Sequence, residues 1–172
     1  MPENNILTKG EMNSEGATEL WAHGDRNRNF RVNLADENIL VRHRKAYKQL
    51  DKSVKELTRI KLKAKDDYDS LIDAIEIFDA DARTCVNDIF LCDVCTPVFG
   101  SVSLTAPVNK NGDMYLMVFL DEIGAMIQDA KNEHYARVEA EVKALKEKTA
   151  KYTEGYDDEP ISGEELERGD EA

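Results

Sequence analysis

The sequence predicts a fold that is mainly all-α, with a charged antiparallel helical hairpin followed by a third long helix. The 72 residues from Asp25 to Thr96 contain neither glycine nor proline, and this favours long helices because both residues interrupt them. Apolar residues recur at three- and four-residue spacings through the same stretch, as they do along the buried face of a helix. Pro97 and the pair Asn111-Gly112 then predict an irregular connection to the third helix.

The length of 172 residues suits one domain with tails. Residues 1–29 are polar and predict a loose N-terminal arm. Phe30 to Leu34 alternates apolar and polar side chains, which predicts a short extended lead-in to a helical domain over residues 30–152. Residues 153–172 contain nine acidic side chains and one arginine, a composition that predicts a disordered acidic tail.

Capping residues and a heptad seam define the helices within this domain. Asp36 and Asp113 are predicted N-caps, because a short carboxylate can accept hydrogen bonds from the first backbone N–H groups of a helix. Counted in heptads from Leu40 to Cys92, the two seam positions are hydrophobic in fourteen of sixteen cases, with His43 and Lys61 as the exceptions. Such a seam is typical of helices that pack along their lengths. The predicted helices cover about 36–65, 66–95 and 113–150.

Charge predicts that the first two helices fold back on each other. Residues 40–65 contain ten basic and two acidic side chains, a net charge of +8, and residues 66–93 contain nine acidic side chains and one arginine, a net charge of −8. A break near Lys65-Asp66, where the seam is weakest, allows an antiparallel arrangement that sets opposite charges side by side. We expect these charges to decide register more than stability, because an exposed ion pair contributes less than about 1 kcal/mol.

The third helix changes character along its length. It begins with many apolar residues, which predicts a buried start. Beyond Ala130 only a narrow apolar stripe continues, so this half is expected to be solvated on its other faces or packed against a partner. We interpret the stripe as a contact surface for a partner protein. The stripe ends at Tyr152, and the residues that we assign to the contact are Tyr135, Val138, Val142 and Leu145.

Composition limits the classes of partner and the compartment. The chain has 35 acidic and 23 basic residues and a formal net charge of −12, which argues against binding to nucleic acid or to a membrane surface, because both are polyanionic. No apolar run approaches the roughly 18 residues that span a bilayer. Residues 1–5 show no secretory pattern, and the three cysteines are an odd number, so we expect a soluble protein of a reducing compartment.

Residue types that carry chemistry are present but do not form a recognisable site. Cys92 and Cys95 form a C-x-x-C pair with Cys85 upstream, yet a zinc site needs four ligands and no second pair exists. We interpret Cys85 and Cys92 as small apolar members of the seam, and any other role of the three cysteines stays open. The histidines are dispersed, and no phosphate-binding glycine motif is present. We therefore expect no enzyme, no metal and no cofactor.

The order of features between residues 85 and 127 resembles a known family. The chain reads Asp88-Ile89-Phe90, a Cys92-to-Cys95 stretch, Pro97-Val98-Phe99-Gly100, a polar loop that ends in Asn111-Gly112, and Met117 to Ile123. This pattern resembles the tail assembly chaperones of long-tailed phages of Gram-positive hosts, whose connecting element carries two Phe-Gly pairs. The resemblance covers about residues 30–130. One departure is that the first Phe-Gly pair of the family is Phe90-Leu91 here.

The resemblance implies a protein of the host cytoplasm that coats the tape measure protein, keeps it soluble and helps to recruit the tail tube protein. It would leave before the virion is finished. The family has no catalytic residue, and we expect a homo-oligomer without nucleic acid or membrane partners. Phe90, Phe99 and Phe119 are expected to be packing anchors around the connection.

Two other functions remain open from the sequence. One is a phage-encoded acidic inhibitor that binds a basic host protein, which the acidic segment would serve through charge. The other is a structural coiled-coil subunit that stays in the virion, which the heptad seams would serve.

Overall fold

The computed structural model describes residues 6–13, 16–64 and 67–153, with side chains up to residue 150. This part of the chain is mainly helical, as predicted. Residues 154–172, nearly all of the predicted acidic tail, lie outside the described residues. The elements in chain order are β1 (Leu7–Met12), β2 (Thr18–Ala22), β3 (Asn29–Val32), α1 (Glu37–Lys63), α2 (Tyr68–Phe90), α3 (Cys95–Phe99) and α4 (Tyr115–Thr153).

Helices α1 and α2 form an antiparallel hairpin. The side-chain Nε of Arg42, near the start of α1, donates a hydrogen bond of 2.7 Å to the carbonyl oxygen of Ile89, near the end of α2. Asp36 caps α1 as predicted, accepting a hydrogen bond from the backbone N–H of Asn38. Asp67 caps α2. The buried residues of the two helices are Ile39, Ala46, Leu50, Leu57, Phe78, Ala82, Val86, Ile89 and Phe90.

The ion pairs of the hairpin lie within each helix rather than across it. Among the described residues of α1 and α2, Lys55 pairs with Asp51 at 2.6 Å and Arg83 pairs with Asp79 at 2.7 Å, and no ion pair joins the two helices. Opposite charges nevertheless face one another across the hairpin, since Lys45 of α1 and Asp88 of α2 line the same cavity. They lie near each other there without a direct ion pair.

A three-stranded antiparallel sheet precedes the hairpin, in the order β1-β2-β3. The prediction of a loose arm over residues 1–29 is wrong for the described residues, because they form β1 and β2. The predicted lead-in from Phe30 overlaps β3, so the expected domain boundary falls inside a strand. The all-α prediction is corrected to a mainly helical fold with a small sheet. The strand signal was weak because β1 buries only Leu7. In β2, one of the three inward residues, Thr18, is polar, so the alternation of apolar and polar side chains is incomplete.

The second helix ends earlier than predicted. It stops at Phe90 because Leu91 adopts a left-handed conformation, with φ of 58°. Pro97, predicted to lie in an irregular connection, instead lies in the first turn of α3, where a backbone N–H has no acceptor within the helix and its absence costs no hydrogen bond.

The start of α4 also differs from the prediction. The helix begins at Tyr115, and the carboxylate of Asp113 accepts a hydrogen bond from the side-chain amide of Asn109. Loop carbonyl groups serve the first turn instead, since Ala106 accepts from Tyr115 and Leu104 from Leu116. The chain divides into two compact units, one up to His134 and one from Tyr135, so the boundary lies within α4.

Candidate functional site

The three cysteines are free thiols without an activating environment. Burial raises the pKa of the Cys95 thiol to about 12, and burial is also the main cause that raises the pKa of Cys85 and of Cys92. The Cys95 thiol donates to the carbonyl oxygen of Arg83 at 3.4 Å. A protonated thiol is a poor nucleophile and a poor metal ligand. Across the described ranges, no group of three or more histidine, cysteine or acidic side chains could hold a metal ion.

The predicted packing anchors come together in one aromatic cluster of the first unit. Phe90, Phe99 and Phe119 are all buried. Phe119 contacts both of the others edge-on, with ring centroids 5.2 Å from Phe99 and 6.3 Å from Phe90. Tyr115, which the sequence did not single out, joins at 4.8 Å from Phe99. These edge-to-face contacts fix α2, α3 and α4 against one another.

Side chains far away in sequence hold the carbonyl groups of α3. Arg28 donates to the carbonyl oxygens of Pro97 at 2.8 Å and Val98 at 2.7 Å. The hydroxyl of Tyr115 donates to the carbonyl oxygen of Val98 at 3.0 Å, and it also shares a hydrogen bond with the imidazole of His23. No local sequence pattern marks these residues, because their roles depend on contacts that only folding creates.

A second set of polar contacts holds the loop after α3. The guanidinium of Arg83 donates to the carbonyl oxygens of Gly100 at 3.1 Å and Val102 at 2.6 Å. The carboxylate of Asp79 accepts from Arg83 and from the backbone N–H of Leu104, at 2.7 and 2.6 Å. Together these groups tie α2 to the connection that leads into α4.

A half-buried carboxylate fastens the start of the described chain to α4. The side-chain oxygens of Glu122 accept hydrogen bonds from the backbone N–H groups of Ile6 at 3.0 Å and Leu7 at 3.2 Å. Burial raises the pKa of Glu122, and the two hydrogen bonds reduce that rise. This contact holds the start of β1 against α4.

His43, predicted as a polar seam residue, joins α1 to α4. Its Nε2 lies 2.9 Å from the carbonyl oxygen of Leu120, within hydrogen-bond distance. Gly124 makes the approach possible, since a Cβ atom there would lie 2.9 Å from the imidazole. No spacing or motif along the chain indicates that this glycine faces a histidine.

A groove of about 380 Å³ runs between α1 and α2. Its floor includes Leu50 and Phe78, and its rim carries Asp81, Asp88 and Cys85. Among the described residues, no histidine, lysine or arginine lines it. The groove is therefore apolar at its floor and acidic at its rim.

The predicted partner-binding residues lie on the surface of α4, in the second unit. Tyr135, Val138, Val142 and Leu145 are between 40% and 66% exposed. Their spacings of three, four and three residues place them on one side of the helix. Every described side chain from residue 132 to 150 is exposed. This part of α4 is thus a charged helix with one apolar stripe, which we call the α4 stripe.

No helix in the described ranges combines the length and hydrophobicity needed to cross a bilayer. Comparisons with protein-family models, with curated proteins and with solved structures find no significant match.

The α4 stripe is a contiguous set of exposed apolar side chains. The free energy of such a surface falls when another surface covers it and excludes water.

Proposed function

We propose that this protein is a tail assembly chaperone of a long-tailed phage, without enzymatic activity. It binds and solubilises the tape measure protein in the host cytoplasm, helps to recruit tail tube subunits, and is absent from the finished virion. The observation that carries this proposal is the α4 stripe, an exposed apolar surface on a helix that is otherwise highly charged.

The chemistry of the stripe suits a helical client. An amphipathic helix binds another helix through apolar side chains repeated at three- and four-residue spacings. Four half-exposed side chains form a small contact, and small interfaces are typical of transient complexes. A chaperone that must release its client needs such reversible binding.

The conformation of the connection supports the resemblance. The family has glycine after each of two phenylalanines, and here Leu91 and Gly100 follow Phe90 and Phe99. Both Leu91 and Gly100 have positive φ, of 58° and 56°. Glycine adopts positive φ without steric cost. The one departure from the family pattern therefore retains the backbone conformation that glycine favours.

The test is affinity purification of the tagged protein from cells that produce the whole phage or mobile element. Three versions are compared, namely the wild-type chain, Val142→Lys within the stripe, and Ala144→Lys as a matched control two residues away. We expect the wild type and the control to recover a long tape-measure-like protein with tube subunits, and Val142→Lys to lose them. Mass spectrometry of finished particles should not detect the protein.

Other results would replace the proposal. Recovery of one basic host protein in place of tail proteins would indicate the acidic inhibitor. Stoichiometric presence in finished particles would indicate a structural coiled-coil subunit. Equal recovery of the tape measure protein by Val142→Lys and the wild type would exclude the stripe as its binding surface.

A further inference from the structure

The α4 stripe has the spacing of a coiled-coil seam. Tyr135 and Val142 take the first apolar position of successive heptads, and Val138 and Leu145 take the second. Thr149 occupies the next first position. The seam continues over more than two heptads of a helix whose described side chains are all exposed from residue 132 onward. Knobs-into-holes packing needs a second helix with the same spacing.

We propose that a second copy of this chain covers the stripe, with the two α4 helices packed antiparallel as a short two-stranded coiled coil. In the register that sets opposite flanking charges beside one another, Val142 of one copy lies opposite Leu145 of the other. Val138 then lies opposite Thr149 of the second copy. Both copies bury the same residues, as a symmetric dimer requires.

The charges beside the seam favour this occupant. Glu139 and Lys146 flank the seam on one side, Glu141 and Lys148 flank it on the other, and all four are exposed. In an antiparallel pair, each side faces the same side of the other helix. Glu139 therefore lies opposite Lys146 of the second copy, and Glu141 lies opposite Lys148. Symmetry repeats both, which makes four attractive contacts.

The same charges favour the antiparallel orientation over the parallel one. In a parallel pair, each residue on one side meets the residue five positions later on the other helix. Glu141 would then face Lys146 of the second copy, and His134 would face Glu139. Symmetry gives only two contacts between glutamate and lysine. Flanking charges set orientation in coiled coils, so the antiparallel pair is the better match.

The dimer uses the surface assigned above to the client, but it does not require the client. A second copy would cover the apolar side chains until the tape measure helix replaces it. Self-association and binding of the tape measure protein can therefore be measured separately, and either proposal can be refuted without the other.

The first experiment measures the mass of the purified full-length chain by analytical ultracentrifugation over a concentration series. One chain has a mass of 19.5 kDa. We expect the wild type and Ala144→Lys to approach twice that mass, and Val142→Lys to remain at the mass of one chain. Circular dichroism should show equal helix content in all three. A wild type that stays monomeric throughout, or a Val142→Lys chain that dimerises like the wild type, would overturn the proposal.

The second experiment tests orientation by exchanging charges. Glu141→Lys is expected to raise the dimer dissociation constant roughly tenfold, because attractive pairs become repulsive. Adding Lys148→Glu restores attraction only in the antiparallel pair, and adding Lys146→Glu restores it only in the parallel pair. Glu147→Lys, on the face away from the seam, is the control and should dimerise like the wild type. Rescue by Lys146→Glu in place of Lys148→Glu would overturn the antiparallel arrangement.

The two proposals have separable outcomes. A wild-type dimer that recovers no tape measure protein from producing cells would leave the dimer standing and remove the proposed function. A monomeric wild type that recovers the tape measure protein would refute the dimer and leave the proposed function standing.

Discussion

Asp79 and Arg83 form a partly buried ion pair one turn apart on α2, with the Oδ2 and Nε atoms 2.7 Å apart. Burial favours a higher pKa for Asp79, but hydrogen bonds from Arg83, Leu104 and Ser103 outweigh it and hold the pKa below its ordinary value. The pair therefore acts as a fixed acceptor and donor for the loop between α3 and α4.

Arg83→Ala should destabilise the protein by about 2 kcal/mol, because it removes the donor of the carbonyl groups of Gly100 and Val102 and the charged one of the three donors of the Asp79 carboxylate. The free energy of unfolding in urea measures this. Arg44→Ala, at an exposed position of α1, is the control and should change stability by less than about 0.5 kcal/mol. Equal effects of the two substitutions would show that the loop contacts contribute little.

Glu122 should make the protein less stable as pH rises. Its pKa is raised in the folded state, whereas an unfolded glutamate titrates near pH ~4.3. The folded state binds the proton more tightly, so this contribution to stability is present below the unfolded pKa and is lost as pH rises through the folded pKa. Glu122→Gln should therefore gain stability relative to the wild type as pH rises from the unfolded pKa through the raised folded pKa.

Urea unfolding at several pH values gives this difference. Glu147→Gln, at an exposed position of α4, is the matched control. A stability difference between Glu122→Gln and the wild type that stays constant with pH would contradict the raised pKa.

Gly124→Ala should destabilise the protein by about 1 kcal/mol, although alanine is the better helix former. The new methyl group would lie 2.9 Å from the imidazole of His43, which is held by its contact with Leu120. Overpacking costs about 1 to 3 kcal/mol and exceeds the gain of about 1 kcal/mol from helix propensity. In a His43→Ala background the clash disappears, so Gly124→Ala should become stabilising. Thermal or urea unfolding of the four chains of this cycle would reveal the change of sign.

Leu91→Gly should stabilise the protein by about 0.5 kcal/mol. The left-handed conformation costs a residue with a Cβ atom about 1 to 2 kcal/mol, and the greater freedom of glycine in the unfolded chain offsets part of this. Leu91 is 74% exposed, so little packing is lost. Ile77→Gly, at an exposed position inside α2, should destabilise by a similar amount. Two changes of the same sign in the free energy of unfolding would refute this explanation.

Local signals predicted the helices well. Asp36 caps α1 as expected, and α1, α2 and most of α4 lie close to the predicted ranges. The spacing of Val138, Val142 and Leu145 was by itself enough to place them on one side of a helix. These features depend on neighbours within about one turn, and such neighbours can be read directly along the chain.

The tertiary structure alone decided which contacts the N-terminal residues make. Glu122 binds the backbone of Leu7 across 115 positions of sequence, and Arg28 reaches Val98 across 70. Pairing with β2 makes a strand of β1, although most of its side chains are exposed. Strand pairing and long-range hydrogen bonds depend on partners that only the folded chain brings together. The sequence therefore determined the helices and the α4 stripe, whereas tertiary contacts decided the sheet and the connection around Phe99.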